Sequence, residues 1–498
     1  MNRLLRSIFA IVISTSSIAN AADSESPKLL AGAATSNITP ELGIDIVGGF
    51  VPFPATHVHD ELHARCLVLD DGKTKLALVV CDLLGIHRSV TLEARQLIEK
   101  ATGIPAGNVL ISATHTHSAG NAIGSSPRGF YSDHELTDYQ RFVAHRITDG
   151  VQRAMNLRRP AEIAFGTAEA PEHVFNRRWI MKPGTVPVTP FGVTTDKVKM
   201  NPGSGDPNLV EPAGPIDPAV CFIALREPAG RLISVFSAYS LHYVGNVGEG
   251  HISADYYGMY CEALKKLQQD SDSDPPFVAM MANGTSGDIN NINFRTPRPR
   301  TPPYAQMRIV AEDIARKVHA ALANVTWKDH ASLDARYREL GIAWRKVEPE
   351  LLEWAKETEA KAKRMKSKED QASVYAGRIQ RLANASPETK TPVQVLRIGD
   401  ACIGTSPCET FAETGLEFKE RSPIKHSFMV ELANGYYGYL PPPRHFELGG
   451  YETWPGTNYL EPQASVMIMD AILEMTAELN QNFSLKPSDK SDLMPVAK

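Results

Sequence analysis

Short apolar runs alternate along the chain with segments in which apolar residues recur at helical spacing. The apolar runs predict buried strands, namely KLALVVCD, NVLISAT, AEIAFGT, AVCFIAL, RLISVFS, PFVAMM, VQVLRIGD and SFMVELA. The helical spacing predicts helices in VTLEARQLIEKATG, DYQRFVAHRITDGVQRAMN, MRIVAEDIARKVHAALANV and ASVMIMDAILEMTAELN. This alternation predicts an α/β fold with mixed β-sheets covered by helices. The chain contains no recognisable internal sequence repeat.

Two segments depart from the alternation. Residues 181–215 are rich in proline and glycine and have no periodicity, which predicts a long loop bordering a substrate cleft. Residues 348–384 are highly charged and predict a long helix or a helical hairpin inserted in the domain, with a solvated face.

The first residues have the pattern of a secretory signal peptide, residues 1–21. Arg3 and Arg6 supply the positive charge, IFAIVI the apolar run, and ANA at 19–21 the small residues of a cleavage site. We therefore expect an exported protein, periplasmic or secreted, with a single domain over 22–498. Later apolar segments are too short for a transmembrane helix.

Composition narrows the possible classes of protein. The chain has 498 residues, 43% of them hydrophobic, and a net charge of −5, which is typical of a large globular protein and gives no indication of a nucleic-acid partner. Six cysteines are few for an exported protein of this size. Cys402 and Cys408 are close enough in sequence to pair, but spacing alone does not establish a disulfide.

The stretch ISATHTHSAG carries the first candidate chemistry. His115 and His117 follow a predicted strand, and in extended chain residues i and i+2 point to the same side. Two adjacent imidazoles pack poorly in an apolar core, whereas imidazole is a frequent metal ligand, so the pair indicates a possible metal site.

Further polar residues follow other predicted strands, where ligand sites of α/β proteins gather. Each also has a purely structural explanation; Glu409, for example, could be an anion favoured near a helix N-terminus. Two or three histidines and a carboxylate from such positions would form a hydrolytic zinc site. The candidates are His242, His251, Asp255, Thr285, Ser286, Asp288, Glu409, Tyr436, Tyr437 and Tyr439.

In this order the motifs resemble the catalytic domain of the neutral (non-lysosomal) ceramidases, zinc enzymes that hydrolyse the amide of N-acylsphingosines. The resemblance extends from GAATSNITPELGIDIVGGF near residue 32 to GYETW near 454. ISATHTHSAG resembles the family's S-[SA]-T-H-T-H-S-G, which implies that His115 binds zinc and His117 faces the substrate. LHYVGNVGEGHISADYYG, PCETFAETG and NGYYGY imply three further ligands, His242, Glu409 and Tyr439.

The resemblance also implies residues on the substrate side. GYETW resembles R-Y-E-A and implies a role for Tyr451, and FNRRW resembles N-R-S and implies one for Arg177. The family's G-D-[VM]-S-P-N is changed to GDINN, so Asn290 stands at the position of its serine. Asparagine can donate a hydrogen bond but cannot act as a nucleophile. We further expect no C-terminal immunoglobulin-like domain.

The resemblance implies a hydrolase of ceramidase-like class with one Zn²⁺ per chain, in which zinc-bound hydroxide attacks a ceramide-like amide, and the pattern of residues 1–21 adds the expectation that it is exported. Two alternatives stay open because of Asn290: the same zinc site acting on another amide or ester, such as an acylated sugar, or a catalytically silent binding protein. The expected partner is a small-molecule or lipid-like acyl substrate, with a membrane-surface substrate as one option. The oligomeric state is undetermined.

Overall fold

The computed structural model describes residues 28–124, 133–268, 274–365 and 370–480. The predicted signal peptide lies outside these ranges. None of the helices within them has the length and apolar character needed to cross a membrane.

The described residues form short and long strands and eight α-helices. The strands are β1 (Leu30–Asn37), β2 (Asp45–Val47), β3 (Phe53–Pro54), β4 (His57–Val58), β5 (His63–Asp70), β6 (Lys75–Cys81), β7 (Val109–Ala113), β8 (Ala119–Gly120), β9 (Arg159–Pro160), β10 (Glu162–Glu169), β11 (Phe175–Asn176), β12 (Arg178–Met181), β13 (Val198–Met200), β14 (Leu209–Pro212), β15 (Ala219–Arg226), β16 (Leu232–Tyr239), β17 (His251–Ile252), β18 (Val278–Asn283), β19 (Ile289–Asn290), β20 (Leu333–Ala343), β21 (Glu388–Ile398), β22 (Ala401–Thr405), β23 (Glu409–Thr410), β24 (His426–Val430) and β25 (Tyr439–Leu440). The helices are α1 (Arg88–Thr102), α2 (Asp138–Asn156), α3 (Asp255–Leu267), α4 (Ala305–Leu322), α5 (Pro349–Met365), α6 (Gln371–Ala383), α7 (Ala412–Arg421) and α8 (Ala464–Asn480).

Three main sheets share one topology, although the sequence shows no repeat. Their orders are β7-β6-β5-β1, extended by β9, then β18-β16-β15-β10, and β24-β22-β21-β20. In each sheet the first three strands of the chain are antiparallel, and the fourth is parallel to the third. A helix, α1, α3 or α7, connects the parallel pair, and a second helix, α2, α4 or α8, follows it. The fold is therefore three successive β-β-β-α-β-α units.

One face of every sheet packs into a common apolar core. That core contains residues of all three sheets, such as Leu78, Leu110, Phe236, Met280, Ile403 and Phe428. The opposite faces pack against the helices of their own units. Both faces of the inner strands, such as β6, β16 and β22, are thus buried, which explains why these strands appear in the sequence as continuous apolar runs. The predicted α/β class with mixed, helix-covered sheets is confirmed.

Each unit carries an insertion between its first and second strands. The first insertion, residues 38–62, contains β2 to β4, and the second, residues 170–218, contains β11 to β14. The third, residues 344–387, contains the helices α5 and α6, which form a hairpin in the charged segment 348–384.

The segment 181–215 differs from the predicted continuous loop. Strands β13 and β14 pair with the two edges of β12 in a small antiparallel sheet. These strands are three and four residues long, too short to give a period-2 pattern, and all but the last residue of their partner β12 lie before the segment. All six cysteines, including Cys402 and Cys408, are free thiols.

Candidate metal and active site

The site lies at the carboxyl ends of the three parallel strand pairs. In β6/β7, β16/β18 and β22/β24 the last paired residues are Cys81 and Ala113, Tyr239 and Asn283, and Thr405 and Val430. Because parallel strands end at the same sheet edge, the residues that follow each pair are brought together.

His115 and His117 follow β7 but are not part of a strand. His115 has a φ of 76°, a left-handed conformation rare for a residue with a side chain. The predicted reason for their proximity, alternation along a strand, is therefore wrong. The rings nevertheless meet, with Nε2 atoms 3.2 Å apart, because the chain turns at His115, whose amide donates to Leu83 O at 2.9 Å.

Three of the predicted ligand atoms converge in the buried interior. His115 Nε2 lies 3.1 Å from His242 Nε2 and 3.3 Å from Glu409 Oε2. His242 Nε2 and Glu409 Oε2 are 3.8 Å apart. For comparison, ligand atoms at tetrahedral corners around zinc are about 3.3 Å apart, given bonds of about 2.0–2.1 Å.

The hydrogen bonds made by the rings of His115 and His242 leave the lone pair of each Nε2 atom facing the place where the three ligand atoms converge. His115 Nδ1 lies 2.7 Å from Leu84 O, and His242 Nδ1 lies 3.2 Å from Ser286 O. A carbonyl oxygen only accepts, so Nδ1 carries the proton and Nε2 of the neutral ring presents its lone pair. Two lone pairs and a carboxylate oxygen facing one another would repel without a cation. This donor set fits Zn²⁺.

The charge states of the residues agree with such a site. Burial, with Arg177 as the next cause, lowers the pKa of His242 and favours its neutral form. Burial acts to raise the pKa of Glu409, but His115, Tyr439 and Arg177 outweigh it, so that pKa lies below its usual value. His242 is thus neutral and Glu409 ionised, which are the states in which these side chains bind a metal.

Tyr439 reaches Glu409 through strand pairing. Glu409 and Tyr439 are partners in the parallel pair β23/β25, which places their side chains on the same face. The Tyr439 hydroxyl accepts from Arg177 Nη2 at 2.9 Å. A second tyrosine, Tyr436, donates to Glu409 Oε1 at 2.8 Å and so leaves Oε2 directed at the histidines.

Glu431 connects two of the three strand ends. This fully buried carboxyl accepts Ser286 Oγ at 2.7 Å and the Thr410 amide at 2.6 Å. Ser286 Oγ is also 3.3 Å from His242 Nδ1. Glu431 therefore holds the residue behind His242 and the residue after Glu409 in one hydrogen-bond network.

A cavity of about 310 Å³ opens onto the three converging atoms. Among the residues predicted to be functional, eight line it: His115, His117, Arg177, His242, Glu409, Tyr436, Tyr439 and Tyr451. The rest of the described wall comes largely from the three insertions, with Phe50 from the first, Met200 and Asn201 from the second, and Gln371 and Arg378 from the third.

The substrate-side candidates differ in their positions. Tyr451 stands edge-on to Tyr439, with ring centroids 5.8 Å apart, and burial raises its pKa to about 12. Arg177 is buried, pairs with Glu452 and donates to Tyr439. The described wall of the cavity does not include Asn290, whose amide donates to Asn201 Oδ1 at 2.9 Å.

Several residues of the site carry no signal that would assign them from the sequence. Tyr243 stacks on His117 with centroids 3.7 Å apart, and Glu452 binds both Arg177 and Arg178. Glu431 lies within the predicted strand SFMVELA, where nothing in the sequence marks it as part of a site. Tyr436 is part of the NGYYGY motif, but the motif does not show which of its tyrosines contacts Glu409. In the structure the Tyr436 hydroxyl donates to Glu409 Oε1, whereas Tyr439 is the residue paired with Glu409 across β23/β25.

Searches with protein-family models and against curated proteins return no match. Two solved structures match across 92% of this chain. A ceramidase complexed with C2 has a TM-score of 0.68 at 16% identity, with 76% of its chain covered. The neutral ceramidase from Pseudomonas aeruginosa has a TM-score of 0.64 at 17% identity, with 75% of its chain covered.

The architecture and the site define a mixed α/β protein with a buried cluster of three histidines, His115, His117 and His242, that could hold a metal ion. Its fold is that of the neutral ceramidases, which confirms at the level of the fold the resemblance found in the motifs.

Proposed function

We propose that this protein is a zinc-dependent hydrolase that cleaves the amide bond of a ceramide-like N-acyl compound. The observation that carries the proposal is the convergence of His115 Nε2, His242 Nε2 and Glu409 Oε2, within 3.8 Å of one another, at the base of the cavity. The fold, shared with proteins described as ceramidases, gives independent support.

His115, His242, Glu409 and Tyr439 would hold the metal. Bound zinc supplies a water with a pKa near 7 and polarises the acyl carbonyl. Tyr436 holds the second oxygen of Glu409, and Arg177 orients the hydroxyl of Tyr439.

Two side chains are suited to the reacting carbonyl. Tyr451 stays protonated at neutral pH, because its pKa is raised to about 12, and can donate a hydrogen bond to a developing oxyanion. Burial, followed by the neighbouring His115, lowers the pKa of His117 and keeps its ring neutral. Stacking on Tyr243 fixes the plane of that ring, so that its neutral form can accept a proton from the attacking water and then pass that proton to the departing nitrogen.

The test is metal content with matched activity in wild type, His115→Ala and His117→Ala. The control is His330→Ala, at an exposed histidine paired with Asp329. We expect about one zinc per chain, lost only in His115→Ala. We expect His117→Ala to keep the metal and to lose about 10²–10³ in kcat. The substrates are a fluorescent short-chain ceramide and a panel of N-acyl and O-acyl sugars.

The outcomes separate the alternatives. Wild type without stoichiometric metal would refute the site. Zinc without turnover of any acyl substrate would identify a silent binding protein. Zinc with turnover of a substrate other than ceramide would support the second candidate, which the polar wall formed by Asn201, Gln371 and Arg378 favours.

We also propose that the protein is exported, on the basis of the pattern in residues 1–21. N-terminal sequencing of the protein from the periplasm or medium should begin near Ala22, and an intact Met1 in a cytoplasmic fraction would contradict export.

A further inference from the structure

Asn201 and Asn290 are brought together by one stretch of chain, residues 175–178. Asn290 belongs to β19, which pairs with β11, and Asn201 follows β13, which pairs with β12. Strands β11 and β12 lie on either side of Arg177, and the amide of Asn201 donates to Arg177 O at 2.9 Å. The two asparagines therefore lie side by side, although they are 89 positions apart in the sequence.

The hydrogen bonds of Asn290 fix the orientation of its side-chain amide. Its Oδ1 accepts from the backbone N–H of Asn291 at 2.6 Å and from Asn291 Nδ2 at 3.2 Å. Because a backbone N–H group only donates, the atom that faces it must be the oxygen of the amide. The other end of the amide, Nδ2, is therefore the atom directed at Asn201.

This orientation determines that of Asn201 in turn. Since Asn290 Nδ2 only donates, the atom 2.9 Å away from it is Asn201 Oδ1. Among the residues that the structure describes, none accepts a hydrogen bond from the remaining atom, Asn201 Nδ2. Asn201 is exposed and lines the cavity. It therefore offers a ligand two N–H donors, and the bond from Asn290 is the reason that donors face the ligand and not an acceptor.

An apolar patch occupies a different part of the cavity wall. Val47, Leu84 and Ile123, all from the first unit, pack together there. Asn201 belongs to the second insertion and adjoins Arg177. An acyl chain bound on the apolar patch leaves the amine portion of the substrate to the polar part of the wall, which contains Asn201.

We propose that Asn201 determines substrate specificity by donating a hydrogen bond to a hydroxyl or ether oxygen in the amine portion of an N-acyl amine, and that Asn290 is a positioning residue that keeps the donor end of Asn201 directed at the substrate. The inference rests on the proposed amide hydrolysis and specifies how its substrate is recognised. It also gives a role to the position at which GDINN departs from the family pattern.

The test compares two amides of one acyl chain, N-dodecanoyl-2-methoxyethylamine and N-dodecanoylbutylamine. They have the same number of non-hydrogen atoms, but only the first carries an ether oxygen, which accepts a hydrogen bond and donates none. We expect wild type to prefer the ether by about 3- to 10-fold in kcat/KM, mainly through KM, as is typical of one neutral hydrogen bond.

Two substitutions by aspartate should remove this preference by different routes. Asn201→Asp keeps one oxygen for Asn290 but presents the other oxygen, and no donor, to the cavity. Asn290→Asp still accepts from the Asn291 amide, but it offers Asn201 an acceptor in place of a donor, so the Asn201 amide turns over and directs its oxygen at the substrate. In both variants we expect the ratio of the two kcat/KM values to fall to about 1.

The control is Asn293→Asp, which adds the same charge three residues after Asn290. Asn293 is exposed, and its Oδ1 accepts from a backbone amide, a bond that aspartate can also make. This variant should keep the wild-type ratio. Because both substrates are neutral and have nearly the same shape, a general effect of the added charge cancels in the ratio.

The outcomes separate the two parts of the proposal. Equal turnover of the two amides by wild type would overturn the inference and leave the proposed hydrolysis intact. An equal loss on both amides in Asn201→Asp, with the ratio kept, would also overturn it, because it would mark a structural role. A ratio lost in Asn201→Asp but kept in Asn290→Asp would uphold the donor and refute the positioning role of Asn290.

Binding of the matching sulfonamides gives a readout independent of turnover. N-(2-methoxyethyl)dodecane-1-sulfonamide and N-butyldodecane-1-sulfonamide lack the scissile amide, and their affinities can be compared by calorimetry. A preference for the ether that is lost in Asn201→Asp, without hydrolysis of either amide by wild type, would uphold the recognition by Asn201 and refute the proposed reaction.

Discussion

At the scale of single residues, each proposed metal-binding side chain of the site also makes a hydrogen bond on the side away from the proposed metal position. His115 is held by Leu84 O, His242 by Ser286 and Glu409 by Tyr436. Such contacts set the tautomer and orientation of a metal ligand. Their removal should therefore change metal affinity before it changes the fold.

Substitution of Glu431 tests whether the hydrogen bonds behind the proposed ligands set the metal affinity. Glu431→Gln replaces a group that accepts from both Ser286 and the Thr410 amide with one that accepts well on only one side. We expect zinc affinity to fall about 10- to 100-fold, as measured by competition with a chromogenic chelator. Ser286→Ala should act through the same network, so the double variant should cost less than the sum of the two. Wild-type affinity in Glu431→Gln would show that the network does not position the ligands.

Asp255 predicts a pH dependence of stability. It is buried, accepts the amides of Val244 and Gly245 behind His242, and burial raises its pKa from 3.8 to about 6 despite these bonds. A raised carboxyl pKa means that the folded state binds more protons, so this contribution to stability is lost as the pH rises from about 4 to above 6. The loss amounts to about 3 kcal/mol.

The matched variant is Asp255→Asn, because asparagine does not titrate and tolerates the positive φ of 56° at this position. Urea unfolding at a series of pH values should show wild type losing stability relative to the variant as the pH rises across this window. Parallel pH profiles for the two proteins would contradict the assignment.

At the scale of elements, short strand pairs control the geometry of the proposed metal ligands. The pair β23/β25 has only two residues in each strand, yet it sets Tyr439 beside Glu409. Its register depends on Gly438, which has a φ of 72° and lies against the ring of Tyr459 and the carbonyl of Thr457. A Cβ at this position would overlap both groups.

Gly438→Ala should therefore lower the free energy of unfolding by about 2–4 kcal/mol, from backbone strain and overpacking together, and should weaken zinc binding. Gly184→Ala is the control, because Gly184 has a similar φ of 76° and no atom within 4 Å of its would-be Cβ. Chemical denaturation and zinc titration of both variants provide the comparison. A loss in Gly438→Ala no larger than in Gly184→Ala would exclude a role for close packing.

At the scale of the molecule, the proposed ligands come from all three repeated units. His115 belongs to the first unit, His242 to the second, and Glu409 and Tyr439 to the third. A bound ion would therefore link three sheets that otherwise meet through the common apolar core.

Chelation should in consequence destabilise the whole protein. A metal present at 100 times its Kd adds about 2.7 kcal/mol to the free energy of unfolding. Calorimetry should show a lower midpoint for wild type after chelation, restored by added zinc, and no effect of chelator on His115→Ala. An identical shift in that variant would point to metal bound elsewhere.

The sequence by itself determined much of the scaffold and part of the site. Runs such as KLALVVCD and RLISVFS predicted β6 and β16 because strands buried on both faces must be apolar throughout. The motifs nominated His115, His242, Glu409 and Tyr439, which lie together, although the role of each is still a prediction. Helix α3 was missed because its first turns, Asp255–Tyr257, are buried polar and aromatic residues rather than an aliphatic stripe.

Only the tertiary structure decided the rest. The threefold repeat of topology has no trace in the sequence, because buried strands require apolar character and not particular residues. The contact between His115 and Glu409, and the positions of Glu431 and Arg378 around it, join residues that are far apart in the chain. Such contacts depend on how the three sheets pack against each other. The sequence pattern of a single segment does not determine that packing.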